Sequence, residues 1–365
     1  MNERRRFLTY AAGVSAVVTG AKTLGAAEAA LRSSEFVLSE QTRRLLSLFG
    51  IQYPILQAPV GFSSGPDLVI AVNKAGGLGS MALTSATPEE ARDRVKKVLS
   101  ATKVPFAVNY ILGFEPKSLS AALEAGAPFA HFSWGIPNRE VLALVRQNGA
   151  KFGVQVGSAK GAKRAFDSGA TYVVVQGIEA GGHVQGTAPL MEVLPSVLAV
   201  ANGRPVFAAG GIGNGRDIRK VLDAGASGAM LGTRFVATAE SYAHPVYKQA
   251  LVRADADQAV LTVCFEGGWP NAPHRSLRNS TFANWEAAGC PPAGQRPGEG
   301  DVLGKRPDGS LILRYASGSP SKSIVGDAIS ECALHAGLGV GQIKDISTVE
   351  VLMTRLWKEC QDDSL

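Results

Sequence analysis

Between residues 54 and 235 the chain repeats one pattern eight times. A short apolar run ends in polar or glycine residues, and an alanine-rich stretch with helical spacing follows. The runs are PILQAP, GLGSMAL, FAVNYIL, FAHFSWG, KFGVQVG, YVVVQG, PVFAAGG and GAMLGTRF, beginning near residues 54, 77, 106, 129, 151, 172, 205 and 228. Intervening stretches such as SAKGAKRAFDSGA and GNGRDIRKVLDAGA tend to close on Gly or Ala-Gly, a helix stop signal. Strands that alternate with helices pair in parallel through right-handed crossovers. Eight such units predict an α/β fold: a closed (β/α)8 TIM barrel over residues 45–235. The runner-up is an open doubly wound sheet. It would normally carry a dinucleotide fingerprint after its first strand, and VGFSSGPD lacks G-x-G-x-x-G.

The rhythm stops after residue 235. Residues 237–262 read as helix, residues 264–320 as loop-rich, and a last helical part begins near Gly326. The expectation is a helical and loop-rich excursion over residues 236–320 that covers the barrel mouth. A helical segment at 321–365 then packs back on the barrel. Composition agrees with an ordinary globular body, 45% hydrophobic and 19% charged, with 42 glycines spread along the chain as many short turns require. The net charge is +6, but Lys and Arg are scattered, and no basic run is interleaved with aromatics beyond the N-terminus. Nucleic acid is therefore not an expected partner. Cys264, Cys290, Cys332 and Cys360 form neither a CxxC pair nor a Cys/His metal spacing, and their pairing stays open.

Residues 1–29 read as an address. Arg4 and Arg5 open an R-R-x-F-L pattern completed by Phe7 and Leu8; a mildly apolar region follows, with Ala27-Glu28-Ala29 as a cleavage site. This resembles a twin-arginine (Tat) signal peptide, which implies export of a folded protein to the periplasm or beyond. The apolar run contains Gly and Lys22, too polar and short for a stable membrane span. Removal of residues 1–29 takes away four basic and two acidic residues and leaves a charge of +4. Replacing Arg4 and Arg5 by Lys is expected to trap a reporter fusion in the cytoplasm. Unchanged export in a fractionation assay would refute the twin-arginine address.

In a barrel of this kind the working groups sit at the C-terminal strand ends. Run 1 ends in Gln57-Ala58-Pro59, run 3 carries Asn109, and run 6 ends in Gln176 before a loop with Gly181, Gly182 and His183. Run 7 ends in AAGGIGNG, with Gly210, Gly211 and Gly213; run 8 continues through Met230, Leu231, Gly232 and Thr233. Glycine loops at adjacent strand ends bring backbone N–H groups together as a phosphate site.

The motifs QAPV, FAVNYIL, VVVQGIEAGGH, PVFAAGGIGNG and GAMLGTRF, with the late GDAISECALHAGLGVGQIKDI, resemble the nitronate monooxygenase family (2-nitropropane dioxygenases) from about residue 45 to 350. The resemblance implies an FMN-bound barrel. It implies FMN contacts at Asn109, Gln176, Gly181, Gly211, Met230, Leu231, Gly232 and Thr233, and a catalytic histidine at His183. Asn109 and Gln176 would then offer amides to the isoalloxazine edge. His183, with a reference pKa of about 6.5, would take the α-proton of a nitroalkane or orient the anionic nitronate. The implied reaction is oxidation of a small-molecule nitronate by dioxygen to a carbonyl compound and nitrite.

Two positions depart from the family pattern: His335, where relatives often carry an aromatic residue, and VQGTAPL after His183. Three other readings stand beside this one. The same barrel serves FMN-dependent NAD(P)H:quinone and enoyl-thioester reductases. An inosine-monophosphate-dehydrogenase-like chemistry needs a cysteine in the loop after run 6, and that loop has none. A secreted flavin-binding protein without turnover would leave His183 incidental.

Overall fold

The computed structural model describes residues 36–362, so the twin-arginine pattern lies outside the described residues. Eight parallel strands form one sheet: β1 (Ile55–Gln57), β2 (Ser80–Ala82), β3 (Ala107–Ile111), β4 (Phe129–Ser133), β5 (Lys151–Val156), β6 (Tyr172–Gln176), β8 (Val206–Ala209) and β9 (Gly228–Leu231). A two-residue strand, β7 (Gly182–His183), lies outside the barrel wall. Neighbours run β1-β9-β8-β6-β5-β4-β3-β2, and a parallel bridge between Leu56 and Leu78 closes the ring. There Leu78 N–H donates to Ile55 O and Gln57 N–H to Leu78 O, both at 2.9 Å. The expected TIM barrel is thus what the chain forms. The fully buried YVVVQ of β6 shows why its sequence does not alternate: one face meets the barrel interior and the other meets the helices.

Helices follow the strands with their caps written in the sequence. Thr87 and Glu90 make a capping box for α3 (Pro88–Ala101). Asn138, Ser158 and Asn214 cap α5 (Arg139–Gln147), α6 (Ala159–Asp167) and α8 (Gly215–Asp223). The remaining wall helices are α2 (Pro66–Lys74), α4 (Leu119–Glu124) and α7 (Leu190–Ala201).

One element escaped the sequence reading. Helix α1 (Glu40–Phe49) lies against the N-terminal ends of the strands, where Leu45 and Phe49 join Phe129, Tyr172 and Phe207 in one buried cluster. The Phe49 ring centroid lies 4.8 Å from that of Phe129 and 5.4 Å from that of Tyr172. Burial of a ring of this size contributes about 1.5–3 kcal/mol, so α1 is a plug for the barrel floor.

The run GAMLGTRF is strand only to Leu231; Thr233–Val236 turns into a short helix, α9. The chain then leaves the barrel and returns to it at neighbouring points. Thr238 and Ser347 form a parallel bridge, and buried Lys248 donates to the carbonyls of Thr238 at 2.7 Å and Ser241 at 2.8 Å. Helix α12 (Val349–Gln361) packs against both α8 and α2 and so takes the place of the eighth barrel helix.

Within the excursion, the expected helix at 237–262 forms only as α10 (Pro245–Arg253); Ala259–Thr262 is strand β10. The segment read as loop-rich contains β11 (His274–Leu277), α11 (Ser280–Ala287), β12 (Val302–Lys305) and β13 (Leu311–Leu313). The correction has a tertiary cause. β11 pairs with β10 on one side and with β7 on the other, so its partner strands are supplied from afar. Among the described residues no helix is long and apolar enough to cross a membrane.

Candidate active site

The loop after β6 is organised by β6 itself. The Gln176 side chain is buried; its Oε1 accepts from the Gln185 N–H at 2.7 Å, and its Nε2 donates to His183 O at 3.3 Å. The amide expected at a flavin edge therefore shapes the loop that carries His183. The Asn109 amide likewise donates to His131 O at 3.1 Å. Glu179, next in the loop, caps α7: both carboxylate oxygens accept from Leu190 N–H at 3.0 Å. Gly181 is required by close packing, since a Cβ there would stand 2.4 Å from Gly337 N.

The excursion fastens this loop from above. His274 pairs with His183 and Arg275 with Gly182 across β11 and β7. Arg275 also donates to Ala259 O at 2.9 Å and to Ile178 O at 2.8 Å, tying excursion and loop together.

Around His183 the excursion assembles a ring cluster that spacing along the chain cannot show. His274 and His335 have ring centroids 5.3 and 5.6 Å from that of His183. The Trp269 indole stacks on the His183 imidazole at 4.1 Å and 24°. Trp134, from the loop after β4, stands edge-on to both rings. His274 is structural: its Nε2 accepts from Phe265 N–H at 3.1 Å, which leaves Nδ1–H to donate to Ala272 O at 3.0 Å. His335 donates from Nε2 to Ser317 O at 2.9 Å, while its Nδ1 is buried without a partner. The departure noted at residue 335 thus places a second imidazole beside His183. Among the described residues no group of three His, Cys, Asp or Glu is arranged to hold a metal ion.

His183 Nε2 is likewise buried and unpartnered. Burial, with smaller contributions from His335 and His274, holds the His183 pKa down at about 2. Burial also lowers His335 to about 4. This corrects the expectation of a base titrating near neutrality. Packing among these rings disfavours the imidazolium form, so the neutral ring is favoured at working pH.

The two glycine loops lie side by side at the ends of β8 and β9. Gly211 has φ +71°, and the N–H groups of Gly211, Ile212, Gly232 and Thr233 find no backbone or side-chain acceptor among the described residues. The N–H of Gly213, expected to join them, instead donates to Asp217 Oδ2 at 2.9 Å inside the cap of α8. Thr233 Oγ1 accepts from Gly337 N–H at 3.0 Å and keeps its own hydrogen to donate. Met230 and Leu231 are buried wall residues whose backbone pairs with β1 and β8. Unpaired N–H groups of this kind suit an anion such as a phosphate ester.

Trp134, Trp269, Phe114 and His274 were missed by sequence reasoning. Tryptophans beside glycine in FSWG and GGWP were the available signal. Nothing in either motif shows that the two rings meet over His183.

A closed parallel barrel with an open N–H cradle at strands seven and eight is the frame of an enzyme that holds a phosphate-bearing ligand at the C-terminal ends of its strands. The family model described as nitronate monooxygenase matches residues 42–122 and 114–359. The chain belongs to the nitronate monooxygenase family and is a flavin-dependent oxidoreductase. A nitronate monooxygenase of Pseudomonas aeruginosa is 33% identical over 360 residues, covering 86% of this chain and 98% of the relative. A (3aS,4S,5R,7aS)-5-hydroxy-7a-methyl-1-oxo-octahydro-1H-indene-4-carboxyl-CoA dehydrogenase of Mycobacterium tuberculosis is 35% identical over 247 residues, 67% of this chain and 68% of the relative. Among solved structures, a nitroalkane oxidase from Streptomyces ansochromogenes superposes with TM-score 0.70 at 28% identity, covering 87% of this chain and 97% of the other. FabK from Thermotoga maritima superposes with TM-score 0.73 at 28% identity, covering 87% and 95%.

Proposed function

We propose that the chain binds FMN and oxidises alkyl nitronates with dioxygen to a carbonyl compound and nitrite. The observation that carries the reading is the unpartnered Nε2 of a neutral His183 at the end of β6. The N–H groups of Gly211, Ile212, Gly232 and Thr233, with the Thr233 hydroxyl, would hold the cofactor phosphate. Bound FMN supplies the electron-accepting chemistry and the route to dioxygen.

The protein's own part is positioning. A neutral imidazole with an N–H at Nε2 donates to a nitronate oxygen; the other tautomer offers a lone pair to a proton. Burial disfavours imidazolium, so His183 is better suited to hold a substrate already deprotonated than to remove a proton itself. Preformed nitronates are therefore the preferred substrates over neutral nitroalkanes.

Hydride transfer from NAD(P)H to a quinone or enoyl thioester is the second reading, favoured by the likeness to FabK. Anaerobic stopped flow separates the two. Ethylnitronate is expected to bleach the flavin rapidly and NADH slowly, and denaturation should release a chromophore with the mass of FMN. Rapid bleaching by NADH alone would reverse the assignment. A colourless protein that takes up no FMN would remove both.

A further inference from the structure

Trp269 covers the one imidazole on which the proposed chemistry depends. The indole lies parallel to the His183 ring, while Trp134 and Phe114 meet the indole edge-on at 4.8 and 5.1 Å. Under this cover His183 Nε2 has neither solvent nor a hydrogen-bond partner. A buried polar atom left unpaired is costly, and a ligand group that pairs with it recovers that cost. A stack of two aromatic rings is worth roughly two- to tenfold in an equilibrium. The closed arrangement thus sets a favourable stack against the cost of an unpaired nitrogen.

The backbone that carries the indole is built as a short turn with a fixed base. Gly267 N–H donates to Tyr315 O at 2.9 Å, which anchors the segment. Gly268 has φ +92° with the Ser317 hydroxyl 3.9 Å from where a Cβ would stand, Trp269 N–H donates to Glu266 O at 2.8 Å, and Asn271 has φ +59°. Two left-handed positions therefore bracket the tryptophan.

We propose that Trp269 is a specificity-determining gate: its indole occupies the face of His183 that a planar substrate body takes, and the substrate displaces it while a separate polar group reaches Nε2 in the plane of the ring. The proposal rests on His183 being the substrate-facing residue of the proposed function. It names the substrate class as flat, conjugated groups, nitronates with a ring body above short alkyl ones, because only a flat group replaces the lost stack.

The test compares the parent holoenzyme with Trp269→Phe and Trp269→Ala, flavin occupancy being checked by absorbance. Substrates are propyl-1-nitronate, phenylmethanenitronate and, with NADH, menadione; benzoate serves as a planar anion that does not react. Removing the indole removes the displacement cost, so Trp269→Ala is expected to lower KM and the benzoate inhibition constant roughly two- to tenfold. Trp269→Phe should fall between. Benzoate should shift the tryptophan emission of the parent and leave that of Trp269→Phe unchanged. Unchanged or raised KM in Trp269→Ala, or an equal emission shift in both proteins, would overturn the gate. A parent that turns over neither nitronates nor menadione would fail the functional reading, while the benzoate titration still decides the gate.

Discussion

Replacing His183 by asparagine is expected to leave FMN in place and to lower turnover of a neutral nitroalkane no more than that of a preformed nitronate, because an imidazole held neutral by burial is a poor general base. Oxidation of a preformed nitronate should fall by only about tenfold, the scale of one hydrogen bond to a charged oxygen. The similar losses follow from the enclosure of the ring. His183 is held neutral, with its pKa near 2, so the parent itself should already favour the nitronate strongly. For the same reason the nitronate rate should show no inflection from His183 between pH 5.5 and 8, because that group does not titrate there. Side-by-side rates on both substrates at pH 7.5, with flavin content measured by absorbance, check the result. A much larger loss on the neutral nitroalkane would restore a general-base role, and no loss on either substrate would make His183 a bystander.

Acid is expected to unfold the protein well before its carboxylates titrate. The pKa values of His131, His183 and His335 are lowered to about 4, 2 and 4, chiefly by burial. In the unfolded chain the same groups bind protons near pH 6.5. Below that pH the unfolded state holds more protons than the folded one, so stability falls as pH falls and is fully present only above pH 6.5. Each imidazole costs about 1.4 kcal/mol per pH unit, and three of them cost about 8 kcal/mol by pH 4.5. That is comparable to the whole stability of a typical domain, about 5–15 kcal/mol. Thermal melts from pH 7.5 to 4.5 should show a steep decline that is shallower in His131→Phe. A flat melting temperature across this range would contradict the enclosure.

The barrel was legible because its information is local. Each strand is a short run of apolar residues, and each helix carries its own cap, as Thr87, Asn138, Ser158 and Asn214 do. The open N–H cradle was legible for a similar reason, since Gly210 and Gly211 at one strand end and Gly232 at the next announce exposed backbone before any folding is considered. Less local features failed. The plug helix α1 lies outside the repeat, and only the ring of Phe129, Tyr172 and Phe207 beneath the barrel explains its apolar face. β10 and β11 were read as helix and loop because their pairing partners are distant; β11 borrows an edge from residues 182–183. Gly213 was counted as a free donor, and Asp217, one turn along, had already taken its N–H.

The sequence by itself determined the order of strands and helices, the glycine loops that follow strands seven and eight, and the place of His183 in the loop after strand six. Those follow from periodicity, glycine placement and chain direction, which any stretch of backbone carries with it. Only the tertiary structure decided the state of that imidazole. Residues 134, 269, 274 and 335 come from segments far apart in the chain, and their rings meet over His183 when the excursion folds back on the barrel mouth. Burial is a property of that closed assembly, and it is burial that keeps the ring neutral and leaves its Nε2 without a partner.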